Sequence, residues 1–359
     1  MALNVVFAGG NGYPPEDSGG VQSSTHDLAT RLLARGDRPA VLAPLYGDGW
    51  FGLAARARLK AAGGGVVRDT RPGYPVYRGW DPALQVADVV RRTQANVAVV
   101  QCHGTVPLAQ AFRAAGVPVV IYLRNVEFHE LGGDLTPLSD ARFIANSDFT
   151  ARSYRDRYGI EATVIPPTID PALYATEVTG DAVTFINPVA EKGVARAIQI
   201  AAACPEIPFL FVESWVLDDT ALAKLQRAIA PYPNIRFNHR SGNMKAIYGQ
   251  SRLVLAPSRW EEAWGRVASE AQCSGIPVVG STRGGLPEAI GPGGVTLDYD
   301  APLDDWVGAV RDLWSDAARH AALSTAARAY AARPQIDPAR QFEVFESVIH
   351  SALAQASAA

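Results

Sequence analysis

The chain has 359 residues, more than a single hydrophobic core usually organises, so two domains are the expectation. Hydrophobic residues make up 48% and charged residues 19%, which excludes a disordered or fibrous chain. The 33 Lys and Arg against 36 Asp and Glu give a formal charge of −3, without the basic excess of a nucleic-acid binder.

Cys102, Cys204 and Cys273 are widely spaced and odd in number, and none sits in a C-x-x-C pair. That spacing argues against a disulfide framework or a structural zinc and fits a reducing cytoplasm. The first ten residues lack a basic signal-peptide region, and no stretch approaches the roughly 20 apolar residues of a membrane helix. The expected location is the cytoplasm, with peripheral contact at the inner face of the membrane left open.

In chain order, short apolar β-branched runs alternate with Ala-rich helical stretches. The first half offers strands at 4–8, 40–43, 97–101, 117–123, 142–145 and 162–165. Helical patterns between them include 21–34, 107–115 and 149–158. Runs that are apolar throughout, rather than alternating, point to parallel strands covered on both faces. Around Pro166-Pro167-Thr168-Ile169-Asp170-Pro171 the pattern breaks, and the linker is placed there. A second series follows, with strands at 183–187, 209–212, 235–237, 253–256, 277–280 and 295–297. Helices are expected at 194–203, 220–230, 266–273 and 304–314, with two more at 317–332 and 338–354. The fold class is α/β: two Rossmann-like, doubly wound domains, with ligands expected in a cleft at the carboxyl ends of both sheets.

The chemistry concentrates between Pro257 and Val279, followed by Gly284-Gly285-Leu286-Pro287-Glu288. A buried strand ends at Ala256, a loop holds Glu262, and Gly265 opens a helix whose first N–H groups suit a phosphate. Glu270, one to two turns into that helix, is placed to accept bonds from vicinal hydroxyls. Acidic residues flanking a phosphate site suit a neutral, hydroxyl-rich ligand such as a sugar nucleotide.

This stretch resembles the E-x7-E region of retaining glycosyltransferases of family 4, which adopt the GT-B fold. Glu262, Trp264, Gly265 and Glu270 match its two glutamates, its aromatic and its glycine. The resemblance implies that Glu262 meets the donor sugar and Glu270 the nucleotide ribose, with Arg266 and Val267 beside them. Gly9-Gly10 and Ser18-Gly19-Gly20-Val21 resemble the family's first loop, where Gly19 and Gly20 approach the donor phosphate. Glu191-Lys192-Gly193 resembles the R-x-x-x-x-K-G motif, making Lys192 the cation facing the diphosphate. The family's arginine falls at Asn187, and Arg266 is the expected source of the missing charge. His103 is implied near the reacting sugar, and Arg124, Asn125, Glu127 and His129 on the acceptor side.

The resemblance implies a metal-independent, cofactor-free transferase moving a sugar from a UDP- or GDP-linked donor. Its acceptor would be a glycan, a lipid-linked or a small-molecule hydroxyl. The expected domains are 1–167 on the acceptor side, 168–333 binding the nucleotide sugar, and a helix at 334–359 packing back on the first. The alternatives are a sugar-nucleotide epimerase of the same fold and a non-catalytic sugar-nucleotide binder. Asp298-Tyr299-Asp300 looks like a D-x-D metal motif but is read as a turn. Finally, residues 51–80 carry six bases (Arg56, Arg58, Lys60, Arg68, Arg71, Arg78) and one acid, Asp69. They read as a short basic helix plus a mobile aromatic loop, offering a surface for an anionic acceptor or membrane.

Overall fold

The structure is a computed structural model that describes residues 2–358. It contains two compact units, Met1–Thr168 with Ala339–Ala359, and Ile169–Pro338.

In chain order the first unit has β1 (Asn4–Gly9), α1 (Gly20–Ala34), β2 (Arg38–Pro44), α2 (Gly49–Ala61), β3 (Val67–Asp69) and β4 (Val76–Gly79). It continues with α3 (Pro82–Thr93), β5 (Val97–Gln101), α4 (Thr105–Ala114), β6 (Val119–Leu123), β7 (Arg142–Ala145), α5 (Asp148–Tyr158) and β8 (Thr163–Val164). The sheet order is β3-β4-β2-β1-β5-β6-β7-β8, parallel except for the β3–β4 pair. Successive β1 side chains serve opposite faces: Val6 and Ala8 join a core with α3, α4 and α5, while Val5 and Phe7 join one with α1. Both faces are therefore apolar, which is why these strands read as unbroken hydrophobic runs.

The second unit holds α6 (Pro171–Tyr174), β9 (Ala182–Ile186), α7 (Val194–Ala203), β10 (Phe209–Val212), α8 (Asp219–Ile229), β11 (Ile235–Asn238), α9 (Met244–Gly249) and β12 (Ser251–Ala256). After these come α10 (Arg266–Gln272), β13 (Val278–Ser281), α11 (Leu286–Ile290), β14 (Gly294–Leu297), α12 (Leu303–Ser315) and α13 (Ala317–Ala331). All six strands are parallel, in the order β11-β10-β9-β12-β13-β14. Trp306 and Val310 of α12 cover one face, and Ala268, Ala271 and Ile290 cover the other.

The last helix, α14 (Pro338–Ala358), belongs to the first unit from Ala339 onward. Its Phe345 stacks on Phe7 at 6.1 Å, and Gln341 Nε2 donates to the Pro166 carbonyl. The return falls later than the expected residue 334, because Ile336 is buried in the second unit's core.

Residues 51–80 correct the sequence reading more deeply. Where a mobile aromatic loop was expected, β3 and β4 form a hairpin, and Tyr74, Tyr77 and Arg78 are buried. The Arg78 guanidinium is fully enclosed; its Nε donates to Asp69 at 2.9 Å and Nη1 to the Tyr13 carbonyl at 2.8 Å. A buried charge persists only with partners of this kind, so Arg78 is a fixed structural group and no part of a surface.

Candidate functional site

In an open parallel sheet the crevice for ligands lies where neighbouring strands connect in opposite directions. In the second unit that switch point falls between β9 and β12, since β9 leads away to β10 on its other side. The loops leaving these two strands carry Lys192 and Glu262.

Lys192 Nζ lies 2.6 Å from Glu262 Oε1, and both side chains are largely enclosed. Glu262 Oε1 also accepts the Ser258 hydroxyl. Above the ammonium stand the rings of Trp215 and Trp260, with centroids 5.2 and 5.0 Å from Nζ. A cation against two indole faces is attracted by their quadrupoles while its shell of water is thinned.

Glycines bring these loops together. A Cβ on Gly193, where φ is +81°, would lie 1.8 Å from the Pro257 carbonyl oxygen. Only glycine permits that approach, and the adjacent Glu191 carbonyl accepts the N–H groups of Arg259 and Trp260. On the other flank, a Cβ on Gly284 would lie 2.1 Å from the Glu262 carbonyl oxygen, and Gly285 N–H donates to that oxygen at 2.6 Å. The Gly284-Gly285 pair thus fixes the backbone that carries Glu262.

Gly265 caps α10 at φ +101°, with Leu286 packed where a side chain would stand. Trp264 is buried in the core and donates its indole N–H to Ser269, so it supports the site from beneath. Val267 packs partly buried against the same core.

Glu270 accepts the Tyr248 hydroxyl at 2.9 Å and lies 3.3 Å from Arg266 Nε. Burial first, and the Glu270 carboxylate second, push the Tyr248 phenol well above its ordinary value, so it stays a donor. Burial works most strongly against the Arg266 charge, but Glu270 together with Tyr174 and Tyr248 outweighs it and the guanidinium is held above its usual range. Arg266 also donates to Tyr174 Oη. Arg266, the expected replacement for the family's arginine, is thus paired with Glu270, one helical turn along.

Asn187 follows β9 with φ +69°, and its Oδ1 accepts the Trp215 backbone N–H at 3.1 Å. Glu213 secures the same loop by accepting from Leu217 N–H, and this bond, ahead of the others, holds its carboxyl below the ordinary range. Asp298 Oδ1 accepts the Asp300 backbone N–H, and Asp300 pairs with Arg283. That is the hydrogen bonding of a turn.

In the first unit the corresponding switch point lies between β1 and β5. Gly10 N–H donates to the His103 carbonyl at 2.8 Å, and a Cβ there would lie 2.6 Å from that oxygen. His103 is exposed at this edge. Gly19 caps α1 in extended backbone, and Gly20 is the helix's first residue. Arg124 is buried; its Nε donates to Gln101 Oε1 at 2.7 Å, and its guanidinium lies over the Tyr122 ring. Asn125 Nδ2 donates to Glu130 at 2.8 Å, Glu127 is half-buried, and His129 is exposed. Burial raises the Glu127 carboxyl above its usual value. Thus Arg124 and Asn125 are engaged with protein partners, whereas His103 and His129 face solvent.

Sequence reasoning missed Trp215, Trp260, Ser258 and Tyr248. Ser258 and Trp260 lie inside the motif, four and two residues before Glu262, and were the legible signals among them.

The profile described as Glycosyltransferase Family 4 matches residues 18–173, and that described as Glycosyl transferases group 1 matches residues 187–330. The chain belongs to the family 4 glycosyltransferases. A D-inositol 3-phosphate glycosyltransferase of Corynebacterium kroppenstedtii is 34% identical over 117 residues, which is 32% of this chain and 24% of that protein. The match thus spans about a quarter of that relative's own length. HepE of Anabaena, solved with UDP and glucose, is 19% identical with a TM-score of 0.76, covering 97% of this chain and 100% of that one. A glycosyltransferase of Rickettsia africae is 13% identical with a TM-score of 0.72, over 98% and 99%. At these identities the likeness is one of fold, and the fold is GT-B.

Proposed function

We propose that this chain is a retaining glycosyltransferase that moves a sugar from a nucleoside-diphosphate donor to a hydroxyl acceptor without a metal ion. The observation that carries the reading is the Lys192–Glu262 pair at the β9/β12 switch point, with the rings of Trp215 and Trp260 over the ammonium. An enclosed ammonium suits a diphosphate, and a carboxylate beside it suits sugar hydroxyls. Glu270 keeps acceptor capacity for ribose hydroxyls, since a carboxylate offers about four lone-pair sites. Uridine is the preferred base, because the HepE fold relative was solved with UDP. In the first unit, the solvent-facing His103 and His129 are the candidate substrate contacts, whereas Arg124 and Asn125 are held by protein partners.

In the reaction the bond from the sugar's anomeric carbon to the diphosphate oxygen breaks. A bond to the acceptor oxygen forms on the same face, and the acceptor proton passes to the departing diphosphate. Lys192 stabilises the charge that develops there, a preorganised electrostatic contribution.

The test is incubation of the purified chain with UDP- and GDP-sugars, with and without EDTA, followed by assay of free nucleotide and of the sugar. Release of UDP or GDP unaffected by EDTA is the expected result. A changed sugar still attached to its nucleotide would instead mean an epimerase. A rise in thermal stability with no turnover would mean a binder.

A further inference from the structure

We propose that α2, with the start of α3, docks this protein on an anionic bilayer surface. The basis is the pattern of exposure in the first unit, so the inference stands apart from the transfer reaction.

The buried side of α2 is accounted for: Ala55 and Leu59 pack with Leu45 and Val67, and Phe51 lies against them. A soluble amphipathic helix would turn polar residues outward from there. This one does not. Trp50, Leu53, Ala54, Ala57 and Ala61 are all exposed, and their spacing puts them on one stripe opposite the packed face. Trp50 is 90% exposed and Leu53 54%. Arg58 and Lys60 flank the stripe on its two sides, about 80° from its centre at 100° per residue.

The patch extends beyond the helix. Arg56 lies over the Trp80 ring at 5.7 Å, Trp80 is 59% exposed, and Leu84 in the first turn of α3 is 77% exposed. Asp48 and Asp81 stand at the starts of α2 and α3, and Asp81 is bound to Ala83 N–H. Within residues 49–80 the one acid, Asp69, is taken up by buried Arg78, leaving Arg56, Arg58, Lys60, Arg68 and Arg71 exposed.

Indoles and leucines outward with bases at the margins is the composition of an interfacial helix. The apolar side enters the headgroup boundary while Lys and Arg stems snorkel toward phosphates. No helix among the described residues is long and apolar enough to cross a membrane, so the contact lies on the surface. The charge argues for lipid over a second copy of the chain, whose identical patch would bring like charges together.

The experiment is co-sedimentation with vesicles of phosphatidylcholine alone or with about 30% phosphatidylglycerol. Wild type is expected to sediment with the anionic vesicles and to be released as salt rises. Arg58→Gln with Lys60→Gln should weaken binding about thirtyfold, two charges at roughly 1 kcal/mol each. Trp50→Ser with Leu53→Ser should weaken it at least tenfold, with Tm unchanged because both side chains are exposed. A wild type that stays in the supernatant with anionic vesicles overturns the proposal, as does binding that neither double substitution alters. Dimerisation without lipid that Trp50→Ser with Leu53→Ser abolishes, with no vesicle binding, would assign the patch to a second copy. UDP-sugar hydrolysis measured without vesicles should be the same in all variants, which separates failure here from failure of the transfer reading.

Discussion

Replacing Lys192 tests two roles that a single mutation would confuse. The ammonium is the ion-pair partner of Glu262 at 2.6 Å, and it is the proposed contact for the donor diphosphate. A hydrogen bond to a charged group contributes about 1.5–3 kcal/mol net, and Lys192→Met also leaves Glu262 with the Ser258 hydroxyl alone. For a unit of this size, about 2 kcal/mol lowers Tm by roughly 4–8 °C. Glu262→Gln removes the same pair from the other side, so the double variant should be little less stable than either single one. Turnover behaves differently if Lys192 acts on the leaving group. Lys192→Met should reduce kcat at least about a hundredfold, and the same factor should appear in the Glu262→Gln background. The assay is nucleotide release beside thermal denaturation for the four members of the cycle. If the Lys192→Met loss of turnover vanishes in the Glu262→Gln background, the lysine merely holds the glutamate and the assignment fails.

Glu270→Ala should weaken UDP binding by about 1.5–3 kcal/mol, whereas Glu262→Ala should spare UDP binding and damage transfer; calorimetry showing equal UDP affinities for the two would refute the division of roles. Glu270→Ala should also lower Tm more than Glu262→Ala, because it strips the buried Arg266 of its carboxylate. Gly284→Ala should cost about 1–3 kcal/mol and reduce turnover more than UDP affinity, since its Cβ must displace the Glu262 backbone; wild-type kinetics would show that this backbone is not fixed. Glu213→Gln should lower Tm at pH 7. Because the folded-state carboxyl lies below its unfolded value, its contribution is present above the unfolded pKa of about 4.3 and lost as pH falls through the folded one. The gap to wild type should therefore close in acid, and a gap that stays constant down to about pH 3 would contradict the role given to the Leu217 bond.

Segments legible in the sequence were those whose two faces are both buried. Residues 97–101 and 142–145 coincide with β5 and β7 because Val97–Val100 and Phe143–Ala145 are apolar and buried on both faces. The β3–β4 hairpin escaped for the opposite reason. Its strands are short, three glycines precede it, and its stability rests on Arg78 meeting the Tyr13 and Pro14 carbonyls more than 60 residues away. No local pattern announces such partners, so the charge looked like surface. The site divides the same way: Lys192, Glu262 and Glu270 sit in spaced motifs, whereas Trp215 reaches the ammonium only because its loop is tied to Asn187 and Glu213.

Asn187 shows how a departure from a family pattern can be compensated in backbone geometry. The position sits at φ +69°, where an asparagine is far less strained than a longer side chain. Its carboxamide is spent on the Trp215 N–H, and that bond sets the loop whose indole stands over Lys192. An arginine there would bring a second cation but would forfeit the acceptor that holds the loop. Arg266 is already paired with Glu270, as Lys192 is with Glu262. The arrangement therefore exchanges one formal charge for a less hydrated one: a single ammonium beneath two indoles, with Glu262 as its partner. Electrostatic attraction strengthens as water is excluded, so one enclosed cation can match two that remain solvated. On this argument the aromatic pair matters to the proposed chemistry as much as the lysine does, although neither ring carries a charge.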